Sequence, residues 1–406
     1  MRTLKILKIS IGAIVVAALT PAIVSEAQTK PAPTPANSTL VYVGTYTGQK
    51  SNSKGIYFFR FQDIGDDVTQ NVTLVPLGLA AETPNPSFLE IDTKRRLLFA
   101  VNETGEFQGK PTGGVSAFSI DSATGKLVPI NQRSSMGQGP CHLALDRTGK
   151  NILVANYSSG TVAVLPVAAD GKLGEATDVI QHSGKSINPQ RQEGPHAHCT
   201  GFDPSGKFAF VCDLGLDKVM IYRFDAEKGK LTPNDPPFAT LKAGAGPRHM
   251  VFRPDGRFAY VTNELNSTVT AFAYDASKGA LKELQTLSTL PDHWEGTNST
   301  AEIDIHPSGK YLYASNRGHN SVALFNIDPA KGTLTWVEAQ GAGVSTPRHF
   351  GIDAQGKHMA IANQGSNTVL GSRIDTGNGR VKLSGIFADA PTPVCVKFLP
   401  PKEPTR

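Results

Sequence analysis

The chain has 406 residues, of which 39% are hydrophobic and 18% charged, with 40 Gly, 28 Pro and 4 Cys. That much Gly and Pro is high for a helical protein and suits a chain of many tight turns, and the few cysteines exclude a small disulfide-stapled scaffold or a CxxC zinc or redox site. A net charge of +5 with no Lys/Arg run argues against nucleic acid as a partner.

Residues 1–27 read as a secretory signal peptide. Arg2, Lys5 and Lys8 form a positive start, and residues 9–19 form an apolar stretch too short for a comfortable membrane span. Pro21 ends it, and Ser25 and Ala27 supply small residues at a cleavage site. Residues 28–38, QTKPAPTPANS, read as a flexible leader. The expected mature protein is exported, periplasmic or secreted, monomeric, and without stable membrane insertion after cleavage.

From residue 40 onward one pattern recurs. A Pro-x-His or similar triplet opens an apolar strand ending in Asp. A Gly-Lys/Arg turn follows, then an apolar strand ending in Asn, then a Ser/Thr-Val strand. Clear copies are PCHLALDRTGKNILVANYSSGTVAVL (140–165), PHAHCTGFDPSGKFAFVCDLGLDKVMIYRF (195–224) and PRHMVFRPDGRFAYVTNELNSTVTAFAYDASKGALKEL (247–284). The residue ending the second strand can be tracked as Thr45, Asn102, Asn156, Asp213, Asn263, Asn316 and Asn363. About 50 residues per unit, with four short strands each, is the size of a propeller blade. The expected fold is all-β: one domain over residues 39–400, a seven-bladed β-propeller of four-stranded antiparallel blades, with residues 401–406 as a tail.

The first copy, LVYVGTY (40–46), lacks an opening strand, and the last segment, PTPVCVKFL (391–399), looks like an opening strand with nothing after it. The C-terminal strand is therefore expected to complete the first blade and hide two sheet edges. If first strands run from top to bottom, the Asp-x-x-Gly-Lys turns lie below. The Pro-x-His segments and the ends of the second strands then meet on the top rim.

That rim gathers His142, His196, His198, Arg248, His249, Arg348 and His349 from the opening segments, and Glu103, Tyr157, Asp213, Glu264 and Arg317 from the second-strand ends. Several Arg and His around one mouth favour an anionic ligand. Glu264 and His198 are candidates for acid/base work. The recurring His142, His249 and His349 can equally serve blade packing. No metal or other cofactor is called for, since no HExxH or similar compact ligand spacing appears, and the absence of GxSxG argues against a serine-hydrolase elbow.

On VYVGTYT (41–47), GPHAHCTGFDP (194–204), CDLGLDKV (212–219), GPRHMVFRPDG (246–256), VTNELNSTV (261–269) and ASNRGHNSVALF (314–325), the chain resembles the seven-bladed propeller lactonases. These include propeller-type 6-phosphogluconolactonases and carboxymuconate lactonizing enzymes. The resemblance implies His198, Arg248, Glu264 and Arg317 as the catalytic set. His196, His249, Arg348, His349 and Asp213 are expected as substrate-binding residues. It implies hydrolysis of a small anionic lactone of the sugar-acid type. The competing expectation is a non-catalytic exported propeller that binds an anionic ligand or a protein partner. Substitutions at the mouth are expected to spare folding, because a channel mouth is wet. Cys199 and Cys212 are expected as cross-strand neighbours carrying free, buried thiols.

Overall fold

The computed structural model describes residues 39–48, 51–64 and 72–401. The expected signal peptide, the whole of the expected leader and most of the tail lie outside these residues. The described chain forms seven sheets of four antiparallel strands and no helix. Six blades are made of consecutive strands. The fifth, for example, runs Pro247–Phe252, Phe258–Asn263, Thr268–Asp275 and Ala280–Ser288 from the inside outward. The first blade is the exception: its order is Pro393–Leu399, Thr39–Thr45, Gly55–Asp63, Val72–Glu82. The C-terminal strand is thus the inner strand of the first blade, paired from Leu40 against Leu399 to Thr45 against Pro393 with a one-residue slip at Val394.

Burial follows position in the blade. Second strands such as Leu97–Asn102, Phe258–Asn263 and His358–Asn363 are buried at every residue, because both faces pack against neighbouring blades. The inner strands are buried at their upper ends and lose burial lower down, so the channel widens towards the bottom. The bottom turns show why Asp and Gly recur. Asp203 Oδ1 accepts the Phe208 N–H at 2.8 Å, and Oδ2 accepts the Ser205 N–H at 3.0 Å. Gly206 closes that turn at φ +75°, where a side chain would be strained.

The Asn markers are clamps. Asn102, Asn156, Asn316 and Asn363 each donate Nδ2 to a carbonyl of the segment entering their own blade: Pro84, Ser135, Thr289 and Gly343. Asp213 does the same job with reversed polarity. Its Oδ1 accepts the His196 N–H at 2.8 Å, and its Oδ2 lies 2.6 Å from His182 Nδ1.

Cys199 and Cys212 face each other in register on adjacent strands, and all four cysteines are free and buried. Thiol titration of unfolded, unreduced protein is expected to find four thiols per chain. A count of two would mean a disulfide.

Candidate active site

A register break places the functional side chains. In the third, fourth, fifth and seventh blades the inner strand slips by one residue against its neighbour, at Cys141, His198, Arg248 and Arg348. A bulge of this kind re-aims side chains at the end of a strand. As a result both Arg248 and the next residue, His249, line one small void at the top of the channel, as do Arg348 and His349. The bulge also explains why His198 departs from the repeat. It occupies the position of Arg248, while Cys199 occupies that of His249.

Glu264, just beyond the second strand of the fifth blade, is the centre of the cluster. Its Oε1 accepts Arg191 Nη2 at 2.8 Å. Its Oε2 lies 3.1 Å from Arg248 Nε, 3.1 Å from Arg317 Nη2 and 3.9 Å from His198 Nε2. Arg248 and Arg317 are fixed from behind, donating to Ala301 O and Thr300 O at 2.7 and 2.8 Å. Beside this cage Arg348 donates to the Tyr46 hydroxyl at 2.8 Å, and that hydroxyl contacts both oxygens of Glu103.

The site is dry: His198, Arg248 and Glu264 are 4%, 3% and 5% exposed. This corrects the expectation of a wet mouth. Burial alone would raise the Glu264 carboxyl, but Arg317 and Arg248, with the bond from Arg191, hold it well below the usual carboxylate range. Burial and the adjacent Arg248 and His249 push His198 well below the usual imidazole range, so its ring is neutral. Burial lowers Arg317 to about 9, with Glu264 opposing the shift. Four guanidiniums, Arg191, Arg248, Arg317 and Arg348, thus face two carboxylates, Glu264 and Glu103. That excess of positive charge, with fork-shaped donors, suits a carboxylate or phosphate.

Of the residues singled out from sequence, His198, Arg248, Glu264 and Arg317 come together from three successive blades. Of the four, Arg248 borders the small upper void, together with Arg348, His349 and His249. His142 holds in the third blade the position that His249 holds in the fifth, its ring 5.1 Å from that of His249 and 3.9 Å from Phe88. His196 stands aside, stacked on Tyr157 at 4.4 Å with Nδ1 3.0 Å from the Tyr157 carbonyl. Asp213 is not part of the mouth. Both its oxygens are engaged by the segment entering its own blade, and it is fully buried. Sequence reading missed Arg191 and Tyr46. Arg191 sits in a connection of the fourth blade that has no counterpart in the repeat, so no pattern marked it.

A cavity of about 560 Å³ opens at the lower end of the channel, lined by Glu302, Asp304, His349 and Lys397 among others, whereas the upper void measures about 10 Å³. Size alone would favour the lower end. The lower cavity has no converging arginines; its lysine, Lys397, faces Glu90 at 3.4 Å. The donors able to polarise a carbonyl are all above. Among the described residues no three His, Cys, Asp or Glu side chains converge as a metal set.

Residues 40–398 match the family described as lactonase, 7-bladed beta-propeller. The chain is 34% identical over 358 residues to a 6-phosphogluconolactonase of Bacillus subtilis, covering 88% of this chain and 97% of that protein. It is 30% identical over 317 residues to a 6-phosphogluconolactonase of Formosa agariphila, covering 77% and 86%. The solved periplasmic gluconolactonase of Pseudomonas aeruginosa superposes with a TM-score of 0.81 at 33% identity, over 90% of this chain and all of that one. With seven blades closed by the last strand, and with matches along nearly its whole propeller, this chain belongs to the seven-bladed β-propeller lactonase family.

Proposed function

We propose that this protein is an exported hydrolase of a small anionic lactone, of the sugar-acid type represented by 6-phosphogluconolactone. The observation that carries the reading is the Glu264 cage, in which Arg191, Arg248, Arg317 and His198 surround one carboxylate. An incoming anion finds the guanidiniums of Arg248 and Arg317 already largely buried and fixed, and that of Arg191 half-exposed at the edge. The buried Nε of Arg317 lacks a hydrogen-bond partner, which leaves donor capacity unused.

Lactone hydrolysis needs an acceptor for a proton of the attacking water, donors for the developing oxyanion and a proton for the leaving alkoxide. Neutral His198 accepts the first proton. Glu264, 3.9 Å away, stabilises the resulting imidazolium. Arg248 and Arg317 polarise the carbonyl and hold the anionic group. The imidazolium then protonates the ring oxygen as the acyl C–O bond breaks.

The test is pH-stat titration with 6-phosphogluconolactone, gluconolactone and a muconolactone. Turnover of the phosphorylated or carboxylated substrate is the expected result. Arg317→Ala should raise KM for it by about 10–100-fold, the worth of a hydrogen bond to a charged group. The same change should affect an uncharged lactone much less. The second reading is a non-catalytic anion binder, favoured by the four guanidiniums gathered there against two carboxylates. Tight anion binding with no turnover of any lactone would establish it. Export is supported by the pattern of residues 1–27 and by the likeness to the periplasmic gluconolactonase of P. aeruginosa. N-terminal sequencing of protein from a periplasmic or culture fraction should begin near residue 28.

A further inference from the structure

The repeat makes one imidazole stand out. In the third blade His142 Nδ1 accepts the N–H of Thr200, on the next inner strand, at 3.3 Å. In the seventh blade His349 Nδ1 accepts the N–H of Val396, again on the next inner strand, at 3.3 Å. Both rings therefore carry their proton on Nε2. His349 turns that proton towards Glu302 Oε2, 3.2 Å away.

For His249 the corresponding N–H is that of Ile303, and Glu302 takes it: Ile303 N donates to Glu302 Oε1 at 3.0 Å. The same carboxylate places its two oxygens 3.0 and 3.1 Å from His249 Nδ1. A ring nitrogen facing a carboxylate at this distance must donate. The proton of the neutral ring is therefore on Nδ1, and Nε2 carries a lone pair. That Nε2 is buried without a hydrogen-bond partner, and the residue borders the void shared with Arg248 and Arg348. Burial, with Arg248, His142 and Arg348 close by, keeps the ring uncharged.

We propose that His249 Nε2 is a second acceptor for the attacking water, and that Glu302 is the positioning residue that gives His249 this tautomer. The proposal rests on the lactonase reading. The rings of His198 and His249 are 5.2 Å apart and inclined at 66°. A water donating one hydrogen to each ring has its own lone pair free to meet the carbonyl carbon. As the C–O bond forms, one proton passes to His198. The other stays on the new carboxyl oxygen, still bonded to His249, and leaves when the acid ionises.

Three measurements test this. Imidazole ¹⁵N spectra of the wild-type protein, assigned by loss of a signal in His249→Gln, should show His249 protonated at Nδ1. Glu302→Gln should lower kcat by about 10–100-fold with little change in KM, as expected when an acceptor is misaimed and the substrate is still held. His249→Gln, which keeps an oxygen near the Nε2 position, should retain more kcat than His249→Asn, which does not reach it. A wild-type ring protonated at Nε2, or full kcat in His249→Asn, overturns the proposal and leaves the lactonase reading standing. A wild-type protein inert towards every lactone ends both.

Discussion

His198→Asn and Glu264→Gln should each lower kcat for the anionic lactone by about 10²–10⁴-fold, the range for loss of a positioned acid/base group. On the proposed mechanism, the first removes the ring that accepts the proton. The second removes the charge that stabilises the imidazolium. A double variant with full activity would defeat the assignment. The two differ in their effect on folding. Glu264→Gln leaves Arg191, Arg248 and Arg317 without a shared counter-charge in a buried site. Breaking a buried pair from one side costs roughly 3–5 kcal/mol. Glu264→Gln should therefore lower the melting temperature clearly. His198→Asn, which removes a neutral ring, should lower it less. Calorimetry beside kinetics separates the two contributions.

Deleting residues 391–406 should be the most destabilising change of all. It removes the inner strand of the first blade, and with it the buried side chains of Val394, Cys395, Val396 and Leu399. At roughly 1.5–3 kcal/mol for each large apolar side chain, the loss approaches the whole stability of an ordinary domain, about 5–15 kcal/mol. It also bares an edge of Thr39–Thr45 and opens one wall of the channel. Aggregation on expression or a large fall in melting temperature is the expected result. A truncated protein as stable as the intact one would mean that closure contributes little.

The architecture was legible because each blade repeats the same physical solution. Asp-x-x-Gly turns, apolar alternation and the Asn clamps recur at near-constant spacing, and the orphan strand at 391–399 completed the ring. The proposed catalytic quartet was legible for a different reason: the resemblance to the propeller lactonases marked it, and His198 and Arg317 stand where the other blades have different residues, whereas Arg248 recurs as Arg348 in the seventh blade. Asp213 misled because an Asp at a marker position looks like a departure with a function, whereas its carboxylate clamps the chain as the Asn amides do. Arg191 lies in a stretch without period, so nothing in the sequence placed it against Glu264. Glu302 could have been found. Aligning Thr300-Ala301-Glu302 on Pro247-Arg248-His249 puts a carboxylate where the other blades carry His, Cys or Phe.

The pairing of Leu40 with Leu399 joins residues 359 positions apart, while the other six blades form entirely from neighbouring strands. Blades two to seven therefore incur only short loop-closure entropies, whereas the first must wait for the last strand to be made. A growing chain can assemble most of its sheets and still lack a finished ring. Synthesis order thus makes arrival of the C-terminal strand the committing step, so a chain released a few dozen residues early would expose open edges to proteases and to other chains.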